Sequence, residues 1–225
     1  MNDGATGLIT APSSDTEEEQ QSEVWEQKAA AEILDCAVTV FAKHGYGMGG
    51  MRAVAREGGF SLAKAYYYYP KKEALLQAIV ERALIRMTKV AFLKTEEGTS
   101  PAERLYKLVE ATLDYHAHNF DEFKVLYKDS DILIEESAKR VQFLRQEFTK
   151  HVDSCIFDYQ HQGLQRTRSE NGNARAGFYL IALMSWTLMN RYRLQEPLPI
   201  AVLAEEICAL YFEGVNALFQ QAESS

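Results

Sequence analysis

The side chains best placed to do chemistry crowd into one short stretch. Tyr66, Tyr67, Tyr68 and Tyr69 follow one another, with Lys64 before them and Lys71 and Lys72 after. At about 100° per residue, four consecutive helical positions point in all directions, so the four rings cannot all be buried. Tyr66 and Tyr69, at i and i+3, can share an inner face, which turns Tyr67 and Tyr68 outward. Exposed phenols beside a lysine suit phosphate oxygens and base edges. An aromatic packing helix with its hydroxyls at the surface is the other reading. Lys71 and Lys72 fall in the first turn of the following helix, where the macrodipole disfavours cations. A docked anion accounts for such a pair, and a solvated pair beside Glu73 is the alternative.

Elsewhere the chemistry thins out. His151 and Cys155 stand at i,i+4 but lack further metal ligands. Asp114 and His118 have the spacing of a surface ion pair. His44, His116 and His161 have no evident catalytic company, and Glu135 and Glu136 face different directions on a helix. The chain has no Gly-x-Ser-x-Gly elbow, phosphate-cradling glycine loop or dinucleotide fingerprint. The expectation is no catalytic residue, no metal ligand and no cofactor. Cys36, Cys155 and Cys208 lie far apart and read as reduced core thiols in a cytoplasmic protein. No apolar run approaches a membrane span and no secretory pattern opens the chain.

The net charge of −8 speaks against a polyanionic partner until its distribution is read. Residues 1–27 contribute −7, residues 28–82 contribute +3, and residues 83–225 contribute −4. A local basic face, not the sum, is what a nucleic acid meets. An acidic tail, a mildly basic first third and an acidic remainder make a two-module pattern.

The elements that must position these residues are all helical. Residues 1–23 are poor in large apolar side chains and read as a disordered acidic tail. Ile33, Leu34, Ala37, Val40 and Phe41 share one helical face that Gly45 ends. Short helices follow at about 51–57 and 62–68, joined by Gly58-Gly59, with Ser61 as cap and Pro70 as stop. This unit has the size of a helix-turn-helix. A long helix spans about 71–95. Ser100-Pro101-Ala102-Glu103 is a capping box opening a helix to about Asn119. A short segment at 122–127, a long helix at 130–162, a polar loop at 165–173 and helices at 174–194 and 200–221 complete an all-α chain of about nine helices. The domains expected are 24–70 for the head and 71–225 for the body.

The run from Ile33 to Leu75 resembles the DNA-binding domain of the TetR family of transcriptional regulators. The resemblance rests on Ile33-Leu34-x-x-Ala37, Phe41-Ala42, Gly45-Tyr46, Val54-Ala55, Gly59-Phe60-Ser61, Tyr66 and Tyr69-x-x-Lys72-Glu73-x-Leu75. It implies a three-helix head, a helical ligand-binding and dimerisation body, and a homodimer on a palindromic double-stranded operator. The family's DNA-contacting positions correspond to Arg52, Ser61, Leu62, Ala63, Lys64, Tyr66, Tyr67, Tyr68 and Lys72. Gly49 and Gly50 depart from it, standing where hydroxyl residues usually cap the helix. Ala63 replaces a usual glycine and Lys64 a small polar residue.

Ser185-Trp186-Thr187, Leu198-Pro199 and Leu203-Ala204-Glu205-Glu206-Ile207 resemble members that respond to acyl-coenzyme A thioesters. An acyl chain needs an apolar tunnel between helices. Phe92, Leu108, Thr112, His116, Phe143 and Trp186 are the expected lining, with Lys139, Arg140 and Arg145 at a mouth. Phe178, Ile181, Met184, Leu188, Ile207 and Leu210 are the expected dimer seam of the last two helices. The whole reads as a cytoplasmic, ligand-responsive repressor with a small apolar or acyl-coenzyme A-type effector. A helical ligand carrier or adaptor that no longer binds DNA specifically is the alternative.

Overall fold

The structure, a computed structural model, describes residues 14–160, 170–191 and 198–223. Among them stand nine α-helices and no strand: α1 Ser14–Met48, α2 Met51–Glu57, α3 Leu62–Tyr68, α4 Lys72–Glu96, α5 Pro101–His118, α6 Phe120–Asp129, α7 Glu135–Gln160, α8 Glu170–Asn190 and α9 Ile200–Glu223. The first helix starts at Ser14, so residues 14–23, expected to be disordered, have helical backbone. Gly45, at φ +75°, breaks α1 near its end. Two other boundaries move. The segment expected to open α7 at Ser130 is a 3₁₀ turn over Ser130–Ile132, whose Ser130 and the following Leu133 are buried. The helix α8 already covers 170–173, part of the expected loop; residues 161–169 lie outside the described residues.

One continuous core runs through the molecule, and α4 is its spine. Leu75, Leu76, Ile79, Val80, Ala83, Leu84, Met87 and Ala91 recur at helical spacing and are all buried. Each of the larger ones is worth roughly 1.5–3 kcal/mol by burial. The helix packs on α1 and, on the body side, on α5, α6 and α7. Local signals set the ends of the elements around it. Ser61 Oγ accepts from Lys64 N at 3.1 Å, and Ser100 Oγ accepts from Glu103 N at 3.2 Å. The Glu103 carboxylate reaches back to the Thr99 N–H at 2.9 Å and hydroxyl at 2.6 Å, one residue before the cap.

Three polar links tie the head to the body. Arg82 of α4 meets Asp35 of α1 and Glu122 of α6, each at 2.6 Å. Within the body, the Tyr115 hydroxyl of α5 supports that link by donating to Glu122 at 3.3 Å. The Tyr46 N–H donates to Asp129 at the end of α6 at 3.2 Å. The third link is Lys72 on Tyr46.

Candidate nucleic-acid interface and effector cavity

Helices α2 and α3 are too short to stand alone and are held by a few apolar anchors. Met51, Val54 and Ala55 are buried from α2, and Ala65 from α3. Leu62, Tyr68 and Tyr69 pack partly against the same core. The inner face of α3 is therefore the 62, 65, 68, 69 stripe, and Tyr69 Oη donates to the Ala30 carbonyl at 3.2 Å. This corrects the expected pairing of Tyr66 with Tyr69: Tyr66 lies outside and Tyr68 is half-buried. The reason is Ala65, whose small side chain seats α3 closely and makes the i+3 and i+4 positions inward. Tyr67 is 71% exposed, with its ring edge-on to Tyr68 at 5.0 Å.

Ser61, Ala63, Lys64 and Tyr66 join Tyr67 on the exposed side, and Leu62 is half-buried beneath them. Arg52 and Arg56 are exposed on α2 at i,i+4, and Lys71 is exposed just before α4. Among the described residues none of Arg52, Arg56, Lys64 and Lys71 has a carboxylate partner, although Lys64 lies 5.7 Å from the Phe60 ring centre. Arg56 was missed in sequence reasoning, although its i,i+4 spacing from Arg52 was the available signal. Lys72 is held within the fold. Its ammonium donates to the Tyr46 carbonyl and, at 3.3 Å, to the Gly47 carbonyl, and it lies 4.1 Å from the Tyr46 ring centre. Burial pulls its pKa below the ordinary lysine value, opposed by Asp129. Carbonyls at the end of α1 carry the negative pole of that helix, and they hold this cation.

The paired glycines now separate. A Cβ on Gly49 would lie 2.7 Å from Phe41 Cδ1, so the close approach of this buried residue to α1 requires glycine. Gly50 is the N-cap of α2 with no side-chain cap bond, and a Cβ there meets nothing within 4 Å.

In the body a cavity of about 350 Å³ opens between α4, α5, α6, α7 and α8. Leu84, Met87, Leu113, Phe148, Met184 and Leu188 give it apolar walls. Thr112 and His116 line it from α5, and Arg145 lines it from α7. Thr112 spends its hydroxyl hydrogen on the Leu108 carbonyl at 2.7 Å. Burial pushes the His116 pKa down to about 3, so the ring is neutral, and its Nδ1 has no hydrogen-bond partner. Arg145 is tied to Ser130 Oγ and, at 3.3 Å, to Asp131.

Thr112 and His116 thus line the cavity as expected, and four other expected residues do not. Leu108 is buried in the core without reaching it. Phe92 stacks on His151 at 3.7 Å and borders a surface groove. Phe143 is exposed near Arg140, and Trp186 is exposed on the outer side of α8. Helix orientation decides this: one face of each helix looks at the cavity and aromatic type does not tell which. Lys139 and Arg140 meet surface glutamates, leaving Arg145 alone of the expected mouth cations at the cavity. The seam set also divides. Met184, Leu188 and Ile207 are core residues, and Ile181 sits half-buried in the cavity wall. Phe178 and Leu210 are exposed, joined by Tyr179, Trp186 and Val202.

His151 donates or accepts with Thr95 Oγ1 at 3.1 Å, and Asp114 takes the His118 ring at 3.2 Å. Among the described residues no cluster of three His, Cys, Asp or Glu side chains could hold a metal. No described helix is long and apolar enough to cross a membrane.

Two family models match the chain with this geometry in place. Residues 33–79 match the bacterial regulatory proteins of the tetR family, and residues 98–215 match the tetracyclin repressor-like C-terminal domain. The chain belongs to the TetR family. That is a family of transcriptional regulators with a helix-turn-helix head and a ligand-binding C-terminal domain, and not of enzymes. The HTH-type transcriptional regulator Rv1255c of Mycobacterium tuberculosis is 35% identical over 85 residues, which cover 38% of this chain and 42% of that one. The chain therefore spans about two fifths of the length of that curated relative. A tetR-family regulatory protein from Rhodococcus RHA1 superposes with a TM-score of 0.74 at 22% identity, over 83% of this chain and 96% of that one. FadR from Bacillus subtilis, solved in complex with stearoyl-CoA, superposes at 0.68 with 15% identity, over 80% and 96%.

Proposed function

We propose that this TetR-family chain is a cytoplasmic, homodimeric repressor that grips a palindromic operator and is released by a small apolar or acyl-coenzyme A-type effector. The observation that carries the DNA half is the clustering of exposed cations on α2 and α3. On the exposed side of α2 and α3, Arg52, Arg56 and Lys64 face solvent without acids. On the body Lys94, Arg104, Lys107, Lys139, Arg140 and Lys150 each meet a carboxylate, while the exposed Arg86, Lys89 and Lys128, without such a partner among the described residues, are spread over α4 and α6. Unpaired cations on one face are what a phosphate backbone neutralises. Around them Ser61, Ala63, Tyr66 and Tyr67 supply groups for base edges and sugar, with two such helices entering successive major grooves.

For the effector half, about 350 Å³ lies in the range of small-molecule sites, and Arg145 offers a cation where an acyl group's polar end would emerge. The stearoyl-CoA bound by the FadR neighbour supports that class. The exposed apolar side chains Phe178, Tyr179, Trp186, Val202 and Leu210 support a dimer seam on α8 and α9. Phe178 also lines the cavity, so effector and partner would meet on one side chain. Release needs only that effector prefer the dimer state whose heads no longer fit successive grooves. Helix α4 is the lever, since it runs from Lys72 at the head to Met87 at the cavity wall.

Fluorescence anisotropy with upstream intergenic DNA tests this, at two salt concentrations and with a panel of acyl-coenzyme A thioesters. Tight, salt-sensitive binding that one thioester releases is the expected result. Binding that none releases removes the effector class, and DNA binding indifferent to sequence removes the repressor.

A further inference from the structure

We infer that the body cavity takes a free carboxylic acid with a short apolar body, its carboxylate on Arg145 at the mouth, rather than a coenzyme A thioester. The inference rests on reading that cavity as the effector site, and within that reading it selects the ligand class. The lining is graded from inside to outside. Met87, Leu113 and Met184 are buried and form the deep wall, whereas Tyr127, Arg145 and Phe178 are exposed and mark the mouth. Arg145 is the single Arg or Lys among the described lining residues, and no Asp or Glu joins it there. The volume of about 350 Å³ limits the apolar body. Since a dry cavity of about 150 Å³ admits benzene, this one holds roughly a dozen non-hydrogen atoms.

The guanidinium has donors to spare. Of its N–H groups, one on Nη1 goes to Asp131 at 3.3 Å and one on Nη2 to Ser130 Oγ. Asp131 is 86% exposed, so its hold on Arg145 is screened and weak. A carboxylate delivered by burial of its own apolar body takes the spare donors or displaces Asp131. A coenzyme A group asks for more, because its phosphates bring several negative charges. Lys139 and Arg140, earlier on α7, lie outside the lining and meet Glu136 and Glu81. Asp131 beside Arg145 opposes a polyanion further. The mouth answers one negative charge, and a neutral alcohol of the same length would leave Arg145 unused.

Isothermal titration of the full-length protein with octanoate, octan-1-ol and octanoyl-coenzyme A tests this without DNA. Octanoate should bind roughly tenfold or more tightly than octanol, and at least as tightly as the thioester. In Arg145→Gln the preference for the acid over the alcohol should vanish. In Asp131→Asn, which frees the guanidinium, octanoate affinity should rise severalfold. Decanoate should bind more tightly than octanoate, and hexadecanoate no more tightly than decanoate. Equal binding of octanoate and octanol, binding of neither, or tighter binding of the thioester overturns the inference. So does an acid preference that survives in Arg145→Gln, an octanoate affinity that does not rise in Asp131→Asn, or affinity still climbing at hexadecanoate. Met184→Trp fills the cavity and should abolish binding of octanoate; binding that persists there also overturns it. Operator affinity unmoved by saturating octanoate would count against the effector reading alone and leave the Arg145 preference standing.

Discussion

Tyr67 has no core to fill and offers a ring and a hydroxyl from the outer side of α3. Tyr67→Ala should weaken operator binding by about 1–3 kcal/mol in anisotropy titrations, with the protein's melting temperature unchanged. Lys71 and Lys72 are neighbours with different work. Lys71→Gln should flatten the salt slope of DNA binding by about one unit. Lys72→Met should leave that slope almost unchanged and lower the melting temperature, because it strips the end of α1 of its cation. Gly50→Ser should raise stability by a few tenths of a kcal/mol by adding the missing cap, whereas Gly49→Ser should lower it by forcing Phe41 aside. His116 sets a pH dependence. Its folded pKa, about 3, lies below the ordinary value of 6.5, so the folded state binds fewer protons across that window. Stability is full above pH 6.5 and is lost as pH falls toward 3, by ~2 kcal/mol from this residue between pH 7 and pH 5. Urea midpoints at those two pH values should converge in His116→Leu, apart from what His151, lowered by its own burial, contributes.

At the scale of elements, Arg82 is the joint between head and body, holding Asp35 of α1 on one side and Glu122 of α6 on the other. The Arg82 and Glu122 side chains are 15% and 6% exposed, while Asp35 at the far end of the link is 70% exposed. The Glu122 pair is therefore the energetic half, and Asp35 is a screened surface contact of small worth. Arg82→Met should cost about 3 kcal/mol in urea unfolding, because it leaves the Glu122 carboxylate buried, and the double variant with Glu122→Leu should recover most of the loss. Glu122 precedes Phe123, which lines the cavity, so the joint borders that cavity. If α4 and α6 transmit occupancy, the double variant should bind operator and effector with near-normal affinity while release by effector shrinks. Unchanged release in anisotropy would remove the joint from the mechanism.

At the scale of the whole molecule, the exposed apolar side chains of α8 and α9 are the unfinished surface. Core positions on the same helices, Leu180, Met184, Leu188, Leu203 and Ile207, are all filled from within the chain. Trp186→Glu together with Leu210→Glu should give a monomer in sedimentation velocity, with secondary structure intact by circular dichroism. Operator affinity should fall steeply in that variant, because one head then holds one half-site without its partner. A dimer that persists would move the seam to another face.

Helix-level information was largely legible along the chain. Ser61, Ser100-Pro101, Gly45 and Pro70 announce their boundaries through local hydrogen bonding and backbone geometry, which need no tertiary partner. The family motifs in 33–75 were legible for the same reason, being contiguous. Facing directions were not. Whether Tyr66 or Tyr68 turns inward depends on how closely Ala65 lets α3 approach its neighbours. Whether Lys72 reaches a phosphate depends on carbonyls of Tyr46 and Gly47, 26 and 25 residues earlier. Phe143, Trp186 and Leu108 carry the right chemistry for a chamber wall, yet they face away from the cavity that Thr112 and His116 line. Composition and spacing determine that a residue is apolar and helical. Only the packing of several helices decides which apolar faces meet core, cavity or partner, because a face is chosen by neighbours distant in the chain.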